Sequence, residues 1–200
     1  MSTTISNAIK KRILEAEEGS VFMTSDFFDI ARSATVRQCL GRLVDKGLMR
    51  RVMDGTYEKP RFSPFLKEYL PTDPEIVARA IAKRYHWNIA PSGDVALNKL
   101  GLSTQIPTVW SYISDGPYRE FTADGFKLSF KRRANRDIGN LSDCSIMVIE
   151  ALKTLGKNRV DANTVDVLRS RISDEQKATL LRETSGSSEW IYDVVRKICS

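Results

Sequence analysis

Between Ser20 and Glu58 the apolar positions change spacing in an orderly way. A short apolar piece, Val21-Phe22, leads into a short helix for which Thr24 or Ser25 is a candidate cap, and a turn follows at Ala31-Arg32-Ser33. Ser33 is placed to cap a second helix, because a hydroxyl there accepts a first-turn N–H that has no partner within the helix. That helix is expected from Ala34 to about Lys46, with Gly47 suited to the left-handed residue that follows a helix. Val36, Leu40, Leu43 and Val44 recur at i, i+4, i+7 and i+8, which is one buried face. Thr35, Arg37, Gln38, Arg42 and Asp45 line the other face. Two short strands around Asp54-Gly55 predict a hairpin. Upstream, Ile5, Ile9 and Ile13 predict a supporting first helix from about Ser6 to Glu17.

Downstream, Pro60, Pro64, Pro71 and Pro74 punctuate a segment that also carries Phe62, Phe65, Leu66, Tyr69 and Leu70. So many prolines oppose a long element, and so many apolar residues oppose a free linker. The segment reads as a connector packed between domains. Asp73-Pro74-Glu75 opens a helix with Ile76, Ala80 and Ile81 inward. Trp87–Ala90 reads as a strand, and Pro91-Ser92-Gly93-Asp94 begins a short helix. The runs Thr108–Ile113, Tyr118–Thr122 and Phe126–Phe130, parted by Asp115-Gly116-Pro117 and Asp124-Gly125, predict a three-stranded antiparallel meander. The final third is helical, with caps expected at Ser142 and Asp161, a capping box at Ser173/Gln176, and a last apolar set, Trp190, Ile191, Val194, Val195 and Ile198, after Ser188. The fold class is α+β: an N-terminal winged helix-turn-helix, then a mixed domain with a small antiparallel sheet and C-terminal helices. The expected domains are 1–70 and 71–200, the latter divided into helices plus meander (71–135) and a helical part (141–200).

Charge sharpens this picture. The chain of 200 residues carries a net +6. Residues 1–70 hold 12 Lys and Arg against 9 acids, residues 71–140 hold 10 against 7, and residues 141–200 hold 9 against 9. The basic excess therefore lies with the helix–turn–helix segment and the stretch after it, and the last sixty residues are balanced. No run of about 18 apolar residues exists, and MSTTISNAIKKR lacks a signal-peptide core, so a cytoplasmic protein with no membrane partner is expected. Cys39, Cys144 and Cys199 have no paired spacing and read as reduced thiols. With His86 the single histidine, no metal site is expected.

A recognition helix needs short polar and Arg side chains in its first turns, where base edges are within reach. Arg32, Ser33, Thr35, Arg37 and Gln38 stand there, with Arg42 one turn further. Arg pairs with guanine and Gln with adenine. Arg50, Arg51, Lys59 and Arg61 flank or follow the hairpin and are candidates for phosphates. Lys131, Arg132, Arg133 and Arg136 form a possible second basic patch. An enzyme reading finds little to stand on: the one acid-x-Lys element, Glu175-Gln176-Lys177, is explained by capping, no phosphate-binding glycine loop occurs, and no nucleophile is tied to His86. No catalytic residue and no cofactor is expected. Two other readings remain open: a stand-alone winged-helix regulator whose C-terminal domain senses a ligand or oligomerises, and a protein-interaction module that binds no DNA.

The order of these blocks, ATVRQCLGRLVDKGLMRRVMDGTYEKP, then DPEIVARAIAKRYHWNIAPSGDVALNKLGLSTQIPTVWSYISDG, then FKLSFKRR, resembles the AbiEi-type antitoxin and transcriptional-regulator family of bacterial type IV toxin–antitoxin systems. The resemblance covers roughly residues 5–135. It implies an autorepressor that binds inverted repeats in its own promoter through double-stranded DNA contacts. It also implies an antitoxin that opposes a nucleotidyltransferase-like toxin functionally, without requiring a stable complex. Arg32, Ser33, Thr35, Arg37, Gln38 and Arg42 carry over as recognition-helix residues.

Overall fold

The computed structural model describes residues 2–123, 125–133 and 139–200. It is a mixed α+β structure with helices at both ends and small sheets. The chain divides into two compact units, residues 1–86 with 122–126, and residues 87–121 with 127–200.

The first unit starts with α1 (Ser2–Glu15) and β1 (Val21–Met23), followed by a 3₁₀ turn (Thr24–Phe27). Then come α2 (Ser33–Asp45), β2 (Arg50–Met53) and β3 (Thr56–Glu58). β3 lies between β1 and β2 in an antiparallel sheet, with Val21 opposite Glu58 and Arg50 opposite Glu58 on its other side. Gly55 turns the β2–β3 hairpin at φ +69°, and its carbonyl accepts from both the N–H and the hydroxyl of Thr24. The core is made by Ile9, Ile13, Phe27, Val36, Leu40, Leu43, Met49 and Tyr57, so α2 buries the face that its spacing predicts. Leu40 is fully buried, and its truncation to Ala is expected to cost about 2–5 kcal/mol.

Ser33 is not the cap of α2. Arg32 holds the extended cap position, its carbonyl takes the N–H of Val36, and no side chain caps the helix. Ser33 has already entered the first turn, where its hydroxyl no longer faces the free N–H groups.

After β3 a second, two-stranded hairpin forms from β4 (Phe62–Ser63) and β5 (Glu68–Tyr69). The expected packed connector is instead a projecting arm: Phe62, Phe65, Leu66 and Tyr69 are all exposed. Its two antiparallel strands satisfy backbone groups of each other, so the segment does not need packing against the rest of the chain for them. The next helix, α3 (Pro74–Tyr85), is capped by Asp73, whose Oδ1 accepts the N–H of Glu75 at 2.8 Å. α3 lies against β1 and belongs to the first unit, so that unit runs past Pro71. Its buried face is Val77, Ala78, Ile81 and Ala82, and Ile76 is exposed. His86 closes it with a left-handed backbone at φ +56°.

The second unit holds β6 (Ile89–Pro91), α4 (Asp94–Lys99), β7 (Val109–Ser114) and most of β8 (Arg119–Ala123) and β9 (Phe126–Arg132). The sheet order is β6-β7-β9-β8, and β7 runs parallel to β9, with Trp110 opposite Leu128. The expected antiparallel meander is therefore wrong in its pairing. β9 carries buried Leu128, Ser129 and Phe130, whereas β8 is mostly exposed. The more apolar strand takes the interior and the polar one takes the edge, where unpaired backbone groups are solvated. Asp124, in the turn expected between β8 and β9, lies outside the described residues. The chain turns after β7 beneath Trp87, whose ring lies 2.3 Å from where a Gly116 side chain would begin, so only glycine fits there.

The remaining helices are α5 (Asp143–Leu155), α6 (Ala162–Arg171), α7 (Asp174–Glu183) and α8 (Glu189–Cys199). Val148, Leu152, Leu168, Leu180, Ile191, Val195 and Ile198 form their common core. Ser142, Asp161 and Ser173 cap as their sequence positions predict, and Gln176 completes the capping box with Ser173. Ser188 occupies the cap of α8 without a side-chain bond.

Candidate nucleic-acid interface

α2 owes its outward face to its inward one. Burial of Val36, Cys39, Leu40 and Leu43 turns Ala34, Arg37, Gln38 and Arg42 to solvent. Ala34, Gln38 and Arg42 rise in one row at four-residue steps, with Arg37 beside it. Arg32 is exposed just ahead of the helix, and Ser33 and Thr35 are half-buried at its start. No hydrogen bond or ion pair to a described residue holds the side chains of Arg32, Arg37, Gln38 or Arg42. Two guanidinium groups and one amide thus stand free of the described residues along one helix face, with a third guanidinium just ahead of it.

Gly41 sits inside this face, and a side chain added there would meet nothing within 4 Å. Glycine in a helix interior costs about 0.5–1 kcal/mol relative to alanine, and packing within the chain gives no reason for it here. It is the residue of this face that the amphipathic pattern does not reveal. The signal for it is a mid-helix glycine between Gln38 and Arg42, which allows close approach of another backbone.

The hairpin cations divide by energy. Arg51 pairs with Asp54 at 2.7 Å, both side chains being well exposed. Such a pair contributes only about 0–1 kcal/mol, so Arg51 can exchange it for a phosphate at little cost. Arg50 is different. Its Nη1 donates to Glu58 at 3.2 Å, to the Leu70 carbonyl at 3.0 Å and to Thr72 at 3.3 Å. The Glu58 side chain is 4% exposed and also accepts from the Thr72 hydroxyl at 2.6 Å. Stripping a buried carboxylate of its partner costs several kcal/mol, so Arg50 stays where it is. Lys59 is likewise engaged, donating to the Leu14 and Ala16 carbonyls at 2.9 and 2.6 Å at the end of α1. Arg50 and Lys59 are therefore structural ties, not free phosphate ligands. Arg61 is exposed beside the β4–β5 hairpin.

A further tie positions the approach to α2. Arg12 on α1 grips Asp29 through two hydrogen bonds of 2.9 and 2.6 Å and also reaches the Asp26 carbonyl. These bonds from Arg12 hold the Asp29 carboxyl below its ordinary range. Asp26 in turn accepts the Met23 N–H at 2.8 Å.

The second basic patch is smaller than the sequence suggests. Lys131 and Arg132 are exposed, but Arg133 faces Glu150 at 3.8 Å, and Arg136 lies outside the described residues. The tryptophans are half-buried. Trp87 meets Phe130 edge-on at 5.6 Å and lies beneath Arg119. Among the described residues, no group of three or more His, Cys, Asp and Glu side chains is placed to hold a metal ion. No helix among them is long and apolar enough to cross a membrane.

This is thus an α+β protein in two units, with a free cationic helix face on the first. The chain belongs to the DUF6088 family, a family of unknown function that matches residues 8–180. No curated protein matches it. Among solved structures it is similar to the RV2827C protein from Mycobacterium tuberculosis, at 14% identity and a TM-score of 0.49, covering 98% of this chain and 76% of that one.

Proposed function

We propose that the first unit is a winged helix-turn-helix that binds double-stranded DNA, with α2 as its recognition helix and the β2–β3 hairpin as its wing. The observation that carries this reading is the set of Arg37, Gln38 and Arg42 on α2 with Arg32 just ahead of it, none paired with a described residue, while neighbouring cations are tied down inside the unit. Arg37 and Gln38 read base edges in the major groove, Arg32 and Arg42 flank them, and Arg51 and Arg61 neutralise phosphates. Ser33 and Thr35 supply hydroxyls at the uncapped start of the helix, where backbone N–H groups also favour a phosphate. The resemblance to AbiEi-type regulators extends the reading to a repressor of its own promoter that acts as antitoxin to a nucleotidyltransferase-like toxin. A gel-shift titration on the chain's own upstream DNA against a scrambled duplex, at two salt concentrations, tests it. Specific shifts that weaken steeply with salt are expected. Equal failure on both duplexes at low salt removes the DNA reading.

A second reading has one observation of its own. A cleft of about 230 Å³ in the second unit is lined by Ile113, Ile146, Ile149 and Ile191, with Glu150 and Lys153 at its polar side. It supports regulation by a small amphipathic ligand, which a ligand-dependent rise in melting temperature detects.

A further inference from the structure

The β4–β5 hairpin has a root that is anchored and a tip that is not. At the root, Leu70 donates its N–H to the Arg61 carbonyl, Phe62 donates its own to Glu18, and Arg50 holds the Leu70 carbonyl. Beyond it, Phe65 is 92% exposed, Tyr69 58%, Leu66 52% and Phe62 43%. Phe62 and Tyr69 stand opposite each other across the strands and meet edge-on at 5.3 Å. A two-stranded hairpin is marginal in water on its own, and an aromatic left open at its tip stabilises nothing within the chain. The arm is shaped to be covered.

We propose that this arm is a self-association surface, through which two copies of the chain pair weakly about a two-fold axis. Two features favour a second copy over other occupants. The first is charge. The rim carries both signs, Arg61 and Lys67 against Glu68, all exposed. A two-fold axis beside Lys67-Glu68 sets each lysine against the other copy's glutamate, so the surface complements itself. A nucleic acid meets the wrong sign at Glu68. The second is area. The exposed parts of Phe62, Phe65, Tyr69 and Leu66 amount to roughly 400 Å² per copy, judged from typical side-chain sizes. That is within the range of a functional patch on a monomer, roughly 300–600 Å². Buried twice, it gives about half of a standard interface, which fits a weak, reversible dimer and not an obligate one. The inference stands apart from the DNA reading, and the self-association itself is read without DNA.

Sedimentation velocity of the full chain from about 5 µM to about 500 µM reads the association directly. The sedimentation coefficient is expected to rise towards that of a dimer, with a Kd on the order of 100 µM. Phe65→Ser is expected to weaken it at least tenfold without lowering the melting temperature, since Phe65 packs on nothing. Lys67→Glu and Glu68→Lys each weaken it, and the double exchange restores it. A constant coefficient across the range overturns the proposal. So does a Phe65→Ser variant that dimerises like the wild type, or a double exchange no better than the single ones. Loss of DNA affinity by Phe65→Ser in a chain that is monomeric throughout also overturns it, because the tip would then be an apolar wedge for a nucleic-acid groove.

Discussion

Two helical regions of similar amphipathic pattern treat their cations in opposite ways. In the C-terminal helices three cations have an acid three residues before them and pair with it: Lys153 with Glu150, Arg169 with Asp166, and Lys177 with Asp174, all at 3.0–3.1 Å. In α2 the residues three and four before Arg37 and Arg42 are Ala34, Ser33, Cys39 and Gln38, and neither guanidinium is paired with a described residue. Both regions bury an apolar face of ordinary size. The difference teaches that net charge says little until each cation's partner is known. A cation paired with an acid of its own helix is held there, and an unpaired one is available to something else.

That contrast breaks most visibly at Arg50 and Arg37, which the sequence alone makes DNA ligands alike, one for a phosphate and one for a base. Arg50→Ala leaves Glu58 buried without its cation, and a stability loss of about 3 kcal/mol is expected in chemical denaturation. A loss below about 0.5 kcal/mol would return Arg50 to the list of free cations. Arg37→Ala is expected to leave stability unchanged and to cost about 1–3 kcal/mol of affinity at a cognate site, with relaxed base preference. Unaltered binding with altered stability would reverse the two assignments.

A third effect belongs to the C-terminal helices. Ser142 donates its N–H and its hydroxyl to Glu183 at 2.9 and 2.8 Å. Burial pushes the Glu183 carboxyl up, but hydrogen bonds from Ser145 and Ser142 outweigh it and hold the group below its ordinary value of 4.5. A lowered folded pKa means stability that is present above the unfolded value and lost as pH falls through the folded one. Glu183→Gln is therefore expected to cost about 1 kcal/mol at neutral pH. Melting curves of the two proteins should converge as the pH drops below the ordinary value. A gap that is constant with pH would mean that the charge is not involved.

The smallest effect sharpens the comparison from inside α2. Gly41→Ala is expected to raise stability by about 0.5–1 kcal/mol, since nothing obstructs the added carbon. The same change should weaken DNA binding if the glycine admits close approach of the backbone. An alanine variant both more stable and equally tight would leave Gly41 without a role in binding.

Much of this was legible in the chain itself. The buried face of α2, the Asp54-Gly55 hairpin and the caps at Asp73, Ser142, Asp161 and Ser173 follow from residue type and spacing, because each depends on neighbours a few positions away. The sheet order did not follow, because the choice of β9 over β8 as neighbour of β7 is made by burial across the whole unit. The fates of Arg50 and Lys59 were hidden for the same reason. Their partners, Leu70 and Thr72 for one and Leu14 and Ala16 for the other, lie some 20 to 45 residues away. The arm at Phe65 was misread because apolar composition shows that a segment wants cover, not that it has it.

We propose that the exposed face of α2 binds DNA and contributes little to stability. One variant tests it most directly, Arg32→Ala/Arg37→Ala/Arg42→Ala, with its affinity for the chain's own upstream duplex and its melting temperature measured beside those of the wild type. A protein that melts where the wild type does and no longer binds is expected. A triple variant that binds as tightly as the wild type would contradict it.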